Sequence, residues 1–136
     1  MRLFLDTNII VDLIDMERAE HQSAVMLLQI AIDNPGKVSP FTTEDAIATA
    51  AYVMRHHLED FRDAIALLLK YIDILPIGRE MLLDICRRNH PDYEDSMHIG
   101  CAEGHNCSCI ITRDREHYYG HTSLRVYSPQ EFLSLL

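Results

Sequence analysis

The chain has 136 residues, 48% of them apolar, and a formal net charge of −9. That length and apolar content predict one globular domain over residues 1–136 and exclude a disordered chain. The apolar runs are too short to span a bilayer. The charge taken alone opposes a general nucleic-acid binder, whose footprint is basic, although bound cations would invert the local field where a phosphate sits.

Leu3 to Asp6 reads as a strand and Asn8 to Asp15 as the start of a helix. His21 to Ile32 is apolar enough for a buried helix, ended by Asn34-Pro35-Gly36. Lys37-Val38-Ser39 predicts a short second strand. Thr42 or Thr43 caps the next helix, with Glu44 and Asp45 in its first turn and Ala46, Ile47, Ala50, Val53 and Met54 on it. Glu59 to Tyr71 is a further helix, Ile72 to Leu75 a strand and Arg79 to Arg88 a helix broken by Asn89-His90-Pro91. Tyr93 to Glu103 is a helix with Gly104 as its stop. Cys109 to Thr112 and Leu124 to Tyr127 are strands. Pro129 to Leu136 closes the chain as a helix, with Ser128 and Glu131 forming a capping box. Strands alternating with helices predict a parallel sheet between helical layers.

In open parallel sheets, ligands bind beyond the C-terminal strand ends. Asp6 stands there after the first strand, and Asn8, next but one, has an amide able to orient a carboxylate. Asp114 follows the strand Cys109–Thr112. Asp92, Glu94 and Asp95 open a helix after Pro91, and spacing alone does not choose among them, since acids at a helix start also complement the macrodipole. Converging carboxylates suit a hard cation such as Mg²⁺ or Mn²⁺. Such ions polarise a phosphodiester and activate water. The first strand is followed by no glycine-rich phosphate loop, which excludes the common nucleotide-binding motifs. Arg113 and Arg115 are candidate phosphate contacts, and His117 is a candidate neighbour of the acids. His56-His57 reads as a solvated helix end.

Four cysteines, Cys86, Cys101, Cys107 and Cys109, accompany an N-terminus that lacks a secretory pattern, so reduced thiols and a cytoplasmic protein are expected. Three of them lie near His98 and His105, but the spacing matches no usual zinc pattern, and buried thiols are the expectation.

Together, Leu5-Asp6-Thr7-Asn8-Ile9-Ile10-Val11-Asp12, Val38-Ser39-Pro40-Phe41-Thr42, Pro91-Asp92-Tyr93-Glu94-Asp95-Ser96-Met97, Cys109-Ile110-Ile111-Thr112-Arg113-Asp114 and the ending Tyr127–Leu133 resemble the PIN-domain family. The likeness is greatest to its small single-domain toxin ribonucleases, the VapC-like branch of toxin–antitoxin pairs. The resemblance implies a three-layer α/β/α sandwich with a parallel sheet of four or five strands. It implies an Mg²⁺- or Mn²⁺-dependent RNA endonuclease, an RNA substrate, a small antitoxin partner and a homodimer, for which the helices between Ala46 and Leu69 are a candidate surface. Carried over by position, the catalytic acids are Asp6, Asp45, Asp95 and Asp114; Asp6, Asp95 and Asp114 hold the metal, and Asn8 and Thr112 support them. Two positions depart from the family pattern. Asp45, with Glu44 beside it, stands where relatives often carry Glu, and His117-Tyr118 stands where many have Asp-Phe. The departures keep a second reading open, a binding or regulatory module on the same fold. A third, an unrelated α/β phosphatase, lacks the Asp-x-Asp pair expected after strand one.

Overall fold

The structure is a computed structural model describing residues 1–136. Its elements, in chain order, are β1 (Arg2–Leu5), α1 (Thr7–Ile14), α2 (His21–Asp33), β2 (Ser39–Thr42), α3 (Glu44–Val53), α4 (Leu58–Leu68), β3 (Asp73–Ile74), α5 (Gly78–Ile85), α6 (Tyr93–Gly104), β4 (Cys109–Ile111), β5 (Arg125–Tyr127) and α7 (Pro129–Ser134). Short 3₁₀ turns precede α4 and follow β4. The five strands form one parallel sheet in the order β3-β2-β1-β4-β5.

The pleat of β1 divides the core. Leu3 and Leu5 face one side and Phe4 the other, because successive side chains of a strand alternate. Cys109 and Ile111 of β4 join the Leu3 side, and Ile110 joins Phe4. On the Leu3 face pack Ile9 and Ile10 of α1, Leu27 of α2, Ala50 of α3, Phe61 of α4 and Phe132 of α7. On the other face lie Ile99 and Ala102 of α6, with Met81 of α5 against them. A sheet covered on both sides has near-continuous apolar strands, and β1 accordingly reads Leu-Phe-Leu rather than alternating.

Two expected boundaries move. The second strand runs Ser39–Thr42, whereas the sequence predicts Lys37-Val38-Ser39. The amides of Lys37 and Val38 both donate to Asn34 O in a turn, so the ladder starts when Ser39 N donates to Met1 O. Adjacent strand amides face opposite neighbours, so Pro40 turns its missing donor towards β3, whose pairing begins only at Phe41. Helix α6 runs through Gly104, and its left-handed exit is Asn106 (φ 57°). The two glycines of α6 serve close packing instead: a Cβ on Gly100 would lie 2.6 Å from Ile85 Cγ1, and one on Gly104 2.8 Å from Met81 Cε. Their absent side chains let α5 settle onto α6. Ser128 and Glu131 form the expected capping box on α7.

The order of strands sets the functional edge. From β1 the chain crosses to β2 on one side and later returns to β4 on the other. Connections leaving a sheet in opposite directions open a crevice beyond the C-terminal ends of β1 and β4. Asp6 ends β1, and Thr112 to Asp114 follow β4.

Candidate functional site

Asp6 is buried at this edge because it serves two elements. Its amide extends the ladder to Ile111 O, and its side chain caps α1 by accepting from Thr7 N at 2.7 Å. The Thr112 hydroxyl donates to Asp6 Oδ2 at 2.7 Å, and His98 Nδ1 lies 3.0 Å from Oδ1. Burial raises the carboxyl's pKa, but the His98 hydrogen bond and charge and the Thr112 and Thr7 donors outweigh it and hold Asp6 below the ordinary aspartate value.

A cavity of about 480 Å³ opens over Asp6 and is lined also by Thr7, Asn8, Glu94, Asp95 and Asp114. Asn8 joins the two strand-end acids. Its amide lies 3.0 Å from Asp114 Oδ2 and 3.5 Å from Asp6 Oδ2 and Thr112 Oγ1. Thr112 Oγ1 accepts from Asp114 N at 3.0 Å while donating to Asp6, so one hydroxyl sets both carboxylates. Asp95 enters from the first turn of α6, its amide capped by Asp92 Oδ1 at 3.0 Å. Desolvation, with the nearby charges of Asp6 and Asp92, pushes Asp95 up to about 6. Asp92 thus acts as the helix cap and Asp95 as the acid beside Asp6. A carboxylate oxygen of Asp6 and one of Asp95 lie within 4.8 Å of each other. Oxygen donors carrying surplus negative charge are the chemistry a hard divalent cation requires. The residues present therefore fit a hard divalent cation.

Asp45 is not among the cavity-lining residues, but its carboxylate stands beside Glu94 and His98, one ligand atom of each within 4.8 Å of the others. Its Oδ2 lies 2.8 Å from His98 Nε2, on the far side of a fully buried imidazole whose other nitrogen reaches Asp6. Burial lowers the His98 pKa, yet hydrogen bonds and charges from Asp45 and Asp6 lift it to about 10, so the ring is an imidazolium donating to both acids. The same ion holds Asp45 below its ordinary value despite burial. Glu44 is exposed and also absent from the cavity. The additional carboxylate facing the cavity from a helix is Glu94, which accepts from Thr7 Oγ1 at 2.9 Å and Thr49 Oγ1 at 2.7 Å.

His98 and Tyr118 are the site residues that sequence reasoning missed. His98 follows Asp95 by three positions on one helix, a spacing that puts both on one face. Tyr118 is fully buried, and its hydroxyl donates to Asp95 Oδ1 at 3.2 Å. The neighbouring His117 is exposed but lines the cavity, with Nδ1 3.6 Å from Asp95 Oδ2. The two arginines expected to meet phosphate are engaged elsewhere. Arg113 makes a two-pronged pair with buried Asp12 (2.6 and 3.2 Å), and Arg115 pairs with Glu131. Cys101, Cys107 and Cys109 are buried in the two core clusters, and burial raises all three thiols, Cys101 and Cys109 to about 12. His105 instead bonds the Pro76 carbonyl.

Comparison with known proteins identifies the family. A family model described as PIN domain matches residues 2–116. The chain is 27% identical over 141 residues to Ribonuclease VapC1 of Aquifex aeolicus, covering 96% of this chain and 92% of that protein. Among solved structures, it resembles VapBC2 of Rickettsia felis bound to a DNA fragment from their promoter (TM-score 0.74, 15% identity, 93% of this chain and 97% of that one). It also resembles VapC20 of Mycobacterium tuberculosis, a Sarcin-Ricin loop cleaving toxin (TM-score 0.70, 13% identity, 90% and 98%). A third neighbour is VapBC-1 of nontypeable Haemophilus influenzae (TM-score 0.70, 17% identity, 96% and 99%). The fold, its strand-end carboxylates and the family match over most of the chain converge on one conclusion: this chain belongs to the PIN domain family.

Proposed function

We propose that this protein is an Mg²⁺- or Mn²⁺-dependent endoribonuclease that hydrolyses RNA phosphodiester bonds as the toxin of a toxin–antitoxin pair. The observation that carries the proposal is the buried Asp6 at the end of β1, facing a cavity shared with Asp95 and Asp114. The relative named a ribonuclease and the neighbour named an RNA-cleaving toxin support the reaction, and the VapBC neighbours support a small antitoxin partner. No helix is long and apolar enough to cross a membrane. A cytoplasmic location and a homodimer belong to the same proposal. Exposed Tyr52, Val53, Leu58, Leu67 and Leu69 on and beside α3 and α4 are the candidate dimer surface.

Asp6, Asp95 and Asp114 hold the metal, which when bound supplies Lewis acidity and charge neutralisation for phosphodiester hydrolysis. Asn8 and Thr112 fix the carboxylates of Asp6 and Asp114 before any ion arrives. Tyr118 does the same for Asp95. His98 keeps Asp6 ionised and pairs with Asp45. Glu94, steadied by two threonine hydroxyls, stands beside Asp45 at the second acidic place and can accept a proton from the attacking water.

The pairing of Asp45 with His98 also supports the second reading, a PIN-fold binding module with weak catalysis. One experiment separates the two: purified protein and Asp6→Asn incubated with structured and single-stranded RNAs in Mn²⁺, Mg²⁺ or EDTA. Cleavage that needs metal and disappears in a folded Asp6→Asn variant is expected. Equal cleavage by both proteins refutes the assignment of Asp6, and absence of metal-dependent cleavage with weak Mn²⁺ binding favours the binding module.

A further inference from the structure

The cavity wall carries Asp6, Asp92, Glu94, Asp95 and Asp114, and a polyanionic substrate approaching it meets like charge. A metal held by Asp6, Asp95 and Asp114 would supply positive charge at the reacting centre, but the flanking phosphates of an RNA strand still need a cation. Among lysines and arginines, only Arg18 lines this cavity. It stands on the connection between α1 and α2, with its side chain about one-third exposed. Its internal partners are distant: NH1 is 3.7 Å from Asp12 Oδ1, and Nε is 3.7 Å from Asp15 Oδ2. Both separations exceed hydrogen-bond length. Asp12 does not depend on Arg18, because Arg113 satisfies both of its oxygens at 2.6 and 3.2 Å. Arg113 is thereby held against Asp12, and neither it nor Arg115, paired with Glu131, lines the cavity. Arg18 is left as a guanidinium loosely tethered by two acids at the mouth of an acidic cavity, with its planar donor fork available for phosphate oxygens.

The geometry points to Arg18 as the anchor of an RNA backbone phosphate adjacent to the scissile one. This rests on the ribonuclease reading above and adds the residue that binds the strand. The loop position suits the role, since it brings a cation to the cavity without placing it among the carboxylates that hold the metal. Arg18 binds the strand and takes no part in bond breaking, so its loss acts on RNA affinity.

The test compares wild type, Arg18→Gln and Arg18→Lys in Mn²⁺-dependent cleavage of the RNAs used above, at low and saturating RNA and at several salt concentrations. Arg87→Ala, an exposed residue just beyond the end of α5 and not among the cavity-lining residues, is the charge control. Arg18→Gln should raise KM roughly tenfold with kcat nearly unchanged, and should flatten the log–log salt dependence of kcat/KM by about 0.7, one single-strand phosphate contact. Arg18→Lys should recover most of the loss, and Arg87→Ala should behave as wild type. Thermal unfolding of each variant exposes a structural effect: equal losses at low and saturating RNA together with a lowered Tm would assign Arg18 to loop stability and overturn the proposal. An unchanged KM and salt slope overturn it too. If wild type cleaves none of the RNAs, fluorescence anisotropy with the same RNAs decides. Weaker binding by Arg18→Gln than by wild type retains the anchor while the ribonuclease reading fails, and equal or absent binding rejects the anchor.

Discussion

Replacing His98 by Gln tests the least anticipated feature of the site. The imidazolium is fully buried and bridges Asp6 at 3.0 Å and Asp45 at 2.8 Å. Gln keeps a neutral amide that reaches one acid but not both, so one charge-assisted hydrogen bond and the positive charge are lost. Such a bond contributes about 1.5–3 kcal/mol, and unpairing a buried ion costs about 3–5 kcal/mol. Two features reduce that cost: Asp6 retains its Thr7 and Thr112 donors, and the Asp45 side chain is 22% exposed and can rehydrate. A destabilisation of about 3 kcal/mol is therefore expected in EDTA at pH 7, roughly a 10 °C fall in Tm for a chain of this size. The pH profile carries a second signature. The folded His98 pKa of about 10 exceeds its ordinary value of 6.5, so the wild type gains stability from this proton at low pH and loses it as pH rises from 6.5 through 10. His98→Gln should lack that decline. In urea titrations, Asp45→Asn combined with His98→Gln should be less destabilised than the sum of the single variants, because the two side chains are in contact. A His98→Gln variant within about 1 kcal/mol of wild type, or additive single effects, would refute the bridging-ion account.

Two other consequences concern the acids. Asp95, held at about 6 by desolvation and by the charges of Asp6 and Asp92, should compete with protons for its ion, so Mn²⁺ affinity measured calorimetrically should be level above pH 7 and fall steeply below pH 6; constant affinity from pH 8 to 5 would exclude Asp95 as a ligand. Because Asp95's folded value lies above its ordinary 3.8, its charge destabilises the metal-free fold, and this contribution should ease as pH falls from about 6 towards 4. Glu94→Gln should reduce kcat by about 10²-fold or more, as loss of a positioned proton acceptor does, whereas Asp45→Asn should reduce it less. The reverse order would assign the second acidic place to Asp45.

Much of this molecule is local and therefore legible along the chain. The apolar run Leu3-Phe4-Leu5, the helix breaks at Asn34-Pro35-Gly36 and Asn89-His90-Pro91, and the Ser128–Glu131 capping box each act within a few residues. Strand-end acids were legible for a related reason: in a parallel sheet the end of each strand is a fixed address, so Asp6 and Asp114 could be placed before any contact was known. Asp45 and His98 were not, because their roles depend on a meeting between α3 and α6 that no local pattern encodes. The helix start that makes Asp45 resemble a ligand is the same whether its carboxylate faces the cavity or an imidazolium behind it. Arg113 likewise reads as a free cation after a strand until α1 presents Asp12 to it, which leaves Arg18 facing the cavity. Sequence alone determined the parallel sheet and which acids stand at its strand ends. Only the tertiary structure decided which charges neutralise one another and which remain for a ligand, because Coulomb and hydrogen-bond energies depend on distances of a few ångströms between residues far apart in the chain.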